Sequence, residues 1–564
     1  MKTADARPFP GVTVRRRTAL WILAALSLQF AILGLVEAWR DSPTIDEPIY
    51  LASGLTTLTR HEFRFNVETG PLPKVLAALP ALLAHPVIPN GASWDKGNGP
   101  AVSNEFLVAQ AKAGKLRRVM FLARSASVVE GVLVGLVAYA LAAGLFGRVA
   151  GLVAAGLWLT TGFVLGLTHL VGIDLPNALF TVLGCLCLSR YLRRPGWRGA
   201  ALVGLAGGLA LLTRATGVLL VGVLAFGVVV GDRHHLRRAF GRGAIVLLVA
   251  WASVWGGVRL LAPSPASVMT TSAFCFPKDS VAERALAPVP WPVEYERAFK
   301  FHFACSNNSG PAFLLGHYWE GARWWYWPGS MLVKLPASVL AVMALGLLSW
   351  VTLDRVTARR AILAVGLPLA VDTIFNLQVP KPLGLRYLLP SIALAMVAGS
   401  ALVRIARRTN LLWALLGVLA VVQLGFLADA FPNSLSWTAP PFRPGYRVVS
   451  AADIDWGQNF YRLRAWARGK NAFIAYYGPF IGDLPPSRPL LGANPRQVEG
   501  WVAASAAMLT RNNRDALAWL RANCPVGSLG GGSILVYRFD DAPDPSPGPV
   551  TPVRPCAGGS SRRT

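Results

Sequence analysis

Asp46 and Glu47 stand side by side shortly after the first long apolar stretch, opening the segment DEPIYLASGLTTLTR. Adjacent carboxylates are costly at a membrane border unless a metal, a proton or a cationic group uses their charge. The pair therefore reads as catalytic. Asp174 stands in HLVGIDLP and with Asp46 offers oxygen ligands to a divalent cation, with His169 nearby as a third. The competing role for Asp174 is to N-cap the helix that follows, with Pro176 just inside it, and spacing alone favours that cap.

Cations accompany these acids. Arg214 in LTRATG is the basic residue of a tight hairpin on the side where positive charge is normally avoided. An Arg at the membrane centre costs ~2.5–3.5 kcal/mol on insertion scales, and a lipid phosphate explains its placement better than snorkelling. Lys334 follows WWYWPG, Arg386 and Tyr387 stand in PKPLGLRYLLP, and Lys74 stands in PLPKVL. Together with Arg214 they are candidate ligands for the phosphate of an anionic lipid headgroup. In DIDWGQ, Asp455 and Gln458 are candidates for acceptor binding, against a local turn in which Trp456 is buried and Gly457 reverses the chain.

The elements that must position these residues follow from composition. Of 564 residues, 54% are hydrophobic and 15% charged, with a mean hydropathy of +0.45, whereas a soluble domain carries roughly a quarter charged residues. The chain therefore reads as a polytopic α-helical membrane protein of about eleven spans. They are expected at 18–37, 119–145, 149–167, 173–190, 199–213, 215–231, 243–261, 330–352, 361–378, 387–403 and 411–428. Basic residues crowd every second loop, as with Arg15–Arg17, Arg193 and Arg194, Arg237 and Arg238, Arg359 and Arg360, and Arg407 and Arg408. Those loops are expected to be cytoplasmic. The N-terminus is then cytoplasmic, while the acids and everything after the last span face the other side. The formal net charge of +27 lies largely in these loops, which argues against a nucleic-acid partner. The first apolar run has no small-residue cleavage site in LVEAWRDSP and reads as a retained anchor.

Residues 1–429 are thus expected to form a transmembrane catalytic domain with large outward loops at 38–118 and 262–329. In the first, LPKVLAALPALLAH suggests a helix lying in the interface; in the second, the aromatic run suggests a headgroup anchor. Residues 430–541 are expected to form a small extracytoplasmic α/β or α+β domain, with strands at NAFIAYYG and GSILVYRF and a helix opening near Asn512. Residues 542–564 have the composition of a disordered tail. Cys185 and Cys187 read as packing residues. Cys275, Cys305, Cys524 and Cys556 lie in outward segments that permit two disulfides, most simply 275–305 and 524–556, although three pairings are open.

In order along the chain, the DE pair, NVETGPLPKVLAALP, GLFGRVAGLVAAGLW with HLVGIDLP, GGLALLTRATG, FLLGHYWEGARWWYWPGSMLVKLP, GLRYLLP and DIDWGQNFYRLRAW resemble the protein O-mannosyltransferase superfamily. That superfamily includes the bacterial aminoarabinose transferases of lipid A. The resemblance implies a GT-C fold, a polyprenyl-phosphate-linked sugar donor and an acceptor hydroxyl, commonly with inversion at the anomeric centre, in a bacterial-type plasma membrane. By position it implies that Asp46 is the general base or a metal-linked carboxylate and that Glu47 supports it or orients the acceptor. Asp174 would be a second acid, a metal ligand in some members. Arg214 and Arg386, with Lys74 or Lys334, would bind the donor phosphate. The chain departs from the pattern at Thr69, Gly70 and Pro71, where the family commonly has His-Pro-Pro, at His317 in place of a Glu, and at Arg214 in place of a Lys. The sugar stays open, as does the acceptor among protein, lipid A, glycolipid and polysaccharide. The competing reading is a transporter or flippase of a polyprenyl-linked glycan, which would share the phosphate site but needs no carboxylate pair at an acceptor.

Overall fold

The computed structural model describes residues 14–66, 69–88, 90–232, 235–263, 288–297, 310–379, 382–406, 410–479, 481–482, 484–512, 514–539 and 551–552. Each expected span coincides with a helix or a broken pair of helices. Arg16–Arg40, Leu116–Phe146, Leu236–Leu261, Arg355–Leu377, Leu385–Ile405 and Trp413–Ala430 are each long and apolar enough to cross a membrane by length and composition. The protein is a multi-pass membrane protein. Trp197–Thr213 and Gly217–Gly231 are apolar but shorter.

Two expected spans are broken, each for a local reason. Arg148–Leu159 and Gly162–Thr168 meet at 63°. At the break the Thr160 and Thr161 hydroxyls donate back to the carbonyls of Gly156 (2.7 Å) and Leu157 (2.5 Å), which competes with the helical ladder. Gln423 Nε2 donates to the Thr160 carbonyl at 2.9 Å, so the break is held from a neighbouring helix. The segment expected as one span at 330–352 is Tyr326–Lys334 followed by Ala337–Leu348. Pro336 has no N–H and pushes Leu335 into extended backbone (φ −100°, ψ 139°).

Between the first two long helices lie Glu47–Arg60 and Pro71–Ala81. They cross so closely that a Cβ on Gly54 would sit 2.1 Å from the Lys74 carbonyl oxygen. The C-terminal region contains a mixed six-stranded sheet. Its strands are β3 (Phe473–Ala475), β4 (Arg488–Pro489), β5 (Gly500–Ser505), β6 (Gly527–Leu529), β7 (Ile534–Phe539) and β8 (Thr551–Pro552), in the order β4-β3-β5-β7-β6-β8. A separate antiparallel hairpin pairs β1 (Pro311–Leu314) with β2 (His317–Glu320). Tyr50, Leu51, Phe106 and Val171 share one apolar core with Phe460, Ile474 and Trp501, so the sheet region is packed on the loop that carries the acids.

The helix expected from Asn512 is shorter than the pattern suggests: a π turn at Met508–Asn512 and then only Ala518–Arg521. Asn and Asp side chains between them favour turns over helix interiors. Cys524 is disulfide-bonded; Cys275, Cys305 and Cys556 lie outside the described residues. So does the 542–564 segment apart from Thr551–Pro552, which pair with β6.

Candidate active site

Asp46 precedes the first residue of the Glu47–Arg60 helix, Asp174 begins the Asp174–Tyr191 helix, Arg214 follows the end of Trp197–Thr213, and Arg386 lies in the turn Leu385–Leu388. Four helix ends therefore deliver these side chains to one end of the bundle, where they form a chain of alternating charge. Asp46 Oδ2 lies 3.2 Å from Arg386 Nη1, Arg386 Nε lies 3.8 Å from Asp174 Oδ2, and Asp174 Oδ1 lies 3.1 Å from Arg214 Nη1. Asp46 is the open member, its side chain 31% exposed. The other three are nearly enclosed. Asp174 does not cap its helix, as spacing alone favoured; it is the first helical residue and its carboxylate faces the arginines.

Aromatic faces complete the cluster. The Arg386 guanidinium lies 4.0 Å over Trp456 and 5.4 Å from the Tyr387 ring, and that of Arg214 lies 4.6 Å over the same tyrosine. Tyr50, one turn beyond Asp46, is buried beside Asp46, Arg386 and Asp174. Burial, then the Asp46 charge, holds its hydroxyl well above the usual tyrosine range, so it is a neutral donor. Among the described residues nothing accepts from Nε of Arg214 or Nε of Arg386, although both are buried. Unused guanidinium donors beside an exposed carboxylate suit an oxyanion adjoining a hydroxyl.

Glu47 plays a different part. Both its oxygens are taken: Arg124 donates through Nε at 2.8 Å and Nη2 at 2.6 Å, Thr44 through N at 2.8 Å and Oγ1 at 3.1 Å, and Val171 N at 2.9 Å. Burial opposes its ionisation, but the Arg124 charge and these donors outweigh burial and hold the carboxyl below its ordinary value. Glu47 thus fixes the start of the helix on which Asp46 sits. Arg124 and Tyr50 were not anticipated from the sequence; an Arg inside an expected span was the available signal for the first.

The lysines lie elsewhere. Lys334 Nζ donates to the carbonyls of Leu435 (2.8 Å), Asp453 (2.6 Å) and Trp437. Three acceptors match three ammonium hydrogens, so Lys334 clamps the chain after the last helix. It acts on the cluster through Asp453, whose Oδ1 accepts from Leu385 N at 2.8 Å, next to Arg386. Lys74 Nζ donates to the Asn66 (2.6 Å) and Thr69 (3.0 Å) carbonyls and lines a cleft of about 300 Å³ with Tyr295 and Glu294. The structure does not bring either lysine into the charge chain.

Asp455 and Gln458 are buried in a turn at Gly457 (φ 89°). Gln458 Oε1 accepts from Trp456 N at 2.8 Å and its Nε2 donates to Ser436 Oγ and the Ile454 carbonyl. Asp455 accepts from Gly457 N and from Ala507 N, both at 3.2 Å. This is the packing role, and it has a consequence for the site. The turn presents Trp456 to Arg386, and its carbonyls accept from Ile45 N and Ser42 N, which stitches down the loop that ends in Asp46.

Burial raises the Asp455 carboxyl to about 7. Between about pH 4 and 7 the folded chain keeps a proton that the unfolded chain has lost, so stability falls as pH rises through that window and levels above it. Melting of the detergent-solubilised protein from pH 4 to 8 should show this slope, and Asp455→Asn should flatten it.

The expected cation ligands are engaged by other protein groups. His169, expected as a third ligand, has Nδ1 3.1 Å from Glu37 Oε2 and Nε2 3.1 Å from Asp41 Oδ2. A cation shared by Asp46 and Asp174 would stand where the Arg386 guanidinium bridges them. Among the described residues no group of His, Cys, Asp and Glu converges on a metal position.

Residues 115–256 match the family model described as dolichyl-phosphate-mannose-protein mannosyltransferase. No curated protein sequence matches the chain. Among solved structures the chain is similar to ArnT from Cupriavidus metallidurans bound to undecaprenyl phosphate (14% identity, 77% of this chain and 68% of that chain covered, TM-score 0.47). It is similar also to the oligosaccharyltransferase AglB from Archaeoglobus fulgidus in complex with an inhibitory peptide and a dolichol-phosphate (13%, 92% and 74%, 0.46). A shorter likeness is to the S. cerevisiae protein O-mannosyltransferase Pmt1-Pmt2 complex bound to the sugar donor (15%, 44% and 34%, 0.33). Likenesses this loose carry no residue-level assignment.

Proposed function

We propose that this chain is a membrane glycosyltransferase of the GT-C type using a polyprenyl-phosphate-linked donor, a reading supported by the family match over residues 115–256, and that it transfers one sugar to an acceptor hydroxyl on the extracytoplasmic face with inversion at the anomeric carbon. The observation that carries the reading is Arg386 held between Asp46 and Asp174, with a buried Nε that makes no hydrogen bond among the described residues. The open Asp46 carboxylate takes the proton of the acceptor hydroxyl as its oxygen attacks the anomeric carbon. The bond from that carbon to the phosphate oxygen breaks on the opposite face, and the polyprenyl phosphate leaves with the electron pair. Arg386 and Arg214 stabilise the charge gathering on the phosphate, with the Tyr387 ring beneath both guanidinium groups. Asp174 holds the arginines in register. A single base with no covalent nucleophile suits inversion. In this reading the Asp46 end of the bundle faces the extracytoplasmic side of a bacterial-type plasma membrane, and the alternation of basic loops supports that orientation.

Purified protein supplied with synthetic polyprenyl-phosphate sugars and a membrane extract as acceptor should release polyprenyl phosphate, and a chelator should leave the rate unchanged. Donors that bind without ever turning over would replace this reading with transport of the lipid-linked glycan. Chelator-sensitive turnover would put a metal beside Asp46 in place of the Arg386 bridge.

A further inference from the structure

Beside the charge chain, a cleft of about 410 Å³ lies between the Asp174–Tyr191, Gly217–Gly231 and Leu367–Leu377 helices. Its polar lining is Asn177, Thr181, Thr216 and Asp372, and its apolar lining includes Leu220 and Phe375. Asn177 lies one turn into the helix that Asp174 begins, and Thr216 lies two residues beyond Arg214. Arg214 is also a charge neighbour of Asp372. The cleft therefore adjoins the reacting groups.

Its polar groups are under-used. Asn177 accepts from Thr213 Oγ1 at 3.4 Å but its amide nitrogen donates to nothing among the described residues. The Thr181 and Thr216 hydroxyls make no hydrogen bond there. Asp372 accepts from Ser391, through Oγ at 2.6 Å to Oδ2 and from its backbone, and feels the Arg214 charge, but no cation lies within ion-pair distance of it among the described residues. Helical threonines ordinarily bond back to a carbonyl of the preceding turn, as Thr160 and Thr161 do here. A carboxylate and free hydroxyls at membrane depth are costly without a partner. A hydrocarbon occupant would leave that cost uncompensated. A ring with hydroxyl or ammonium donors on its rim and C–H groups on its faces would satisfy the polar side and pack on Leu220 and Phe375.

We infer that this cleft holds the donor's sugar ring, with Asp372 and Thr181 as specificity-determining residues that accept from and donate to its polar substituents. The inference rests on the transferase reading above and names the substrate group that reading leaves open. The phosphate then lies toward Arg214 and Arg386, and the polyprenyl chain runs outside the cleft.

The test compares a donor that the wild-type protein uses with its monodeoxy analogues, in the wild type, Asp372→Asn and Thr181→Val, with free polyprenyl phosphate as competitor. Wild type should disfavour at least one analogue about ten- to a hundredfold in kcat/KM, the range of a lost hydrogen bond to a charged group. The variants should level that discrimination and leave inhibition by polyprenyl phosphate unchanged. Should Asp372→Asn fail to fold by its melting profile, Thr181→Val decides, since its lost hydroxyl makes no bond in the protein. Turnover with unaltered discrimination in the folded variants would overturn the sugar cleft alone. Variants that weaken polyprenyl phosphate as much as donor would assign the cleft to the lipid chain instead. No turnover of any donor by wild type would overturn both readings.

Discussion

Asp46→Asn is expected to lower the rate of sugar transfer about 10²–10⁴-fold, the usual contribution of a positioned general base, with donor binding retained. The amide keeps the size of the carboxylate and leaves the Arg386–Asp174–Arg214 part of the chain in place, but it cannot take the acceptor's proton. Removing a negative charge beside the phosphate position should hold donor KM steady or lower it. The loss should therefore fall on kcat. Asp174→Asn is the informative comparison, because Asp174 is nearly enclosed and lies between two guanidinium groups. It should raise donor KM by loosening the arginines. Initial rates of polyprenyl phosphate release against donor concentration separate the two effects. If Asp46→Asn kept more than about a tenth of the wild-type rate while Asp174→Asn lost kcat, the base would be Asp174.

Asp46, Asp174, Arg214 and Arg386 were legible in the sequence because each is a charge at the edge of an apolar run, where charge is conspicuous. The spans were legible for the converse reason. Pairing was not legible. Glu47 and Asp46 are neighbours of the same chemical type, yet one is closed off by five hydrogen bonds and the other is open. That division depends on Arg124, 77 residues away. Lys334 and Lys74 met the same sequence criterion as the arginines, but buried carbonyls engage them, and no sequence pattern marks which carbonyls a chain will leave exposed. DIDWGQ reads in sequence as a turn with Trp456 buried, but only in three dimensions do its carbonyls hold the Asp46 loop and its tryptophan lie under Arg386.

Arg124→Ala should cost about 3–5 kcal/mol, the range for breaking a buried ion pair on one side, and most of the protein should be lost during solubilisation. The side chain is fully buried and every direction of its fork is used. Besides Glu47, it donates to the carbonyls of Ala38 (2.9 Å), Asp41 (2.7 Å) and Ser42 (2.8 Å). Ala38 lies in the last turn of the first helix, whose carbonyls have no helical partner. One guanidinium thus closes the end of that helix, orders residues 41–47 and neutralises Glu47. Arg124→Lys should rescue little, because an ammonium cannot span Glu47 and three carbonyls in one plane. Glu47→Gln combined with Arg124→Met should be better folded than Arg124→Ala, since no buried charge is then left alone. The double variant should still transfer sugar poorly, because the loop that aims Asp46 has lost its anchor. The pH dependence has a definite sign. The folded Glu47 carboxyl is held below its ordinary 4.5, so its contribution is present above that pH and is lost as pH falls through the lower folded value. Wild type should therefore lose stability below about pH 4.5 more steeply than the Glu47→Gln, Arg124→Met protein. Equal acid sensitivity would mean that the ion pair does not govern folding of this loop.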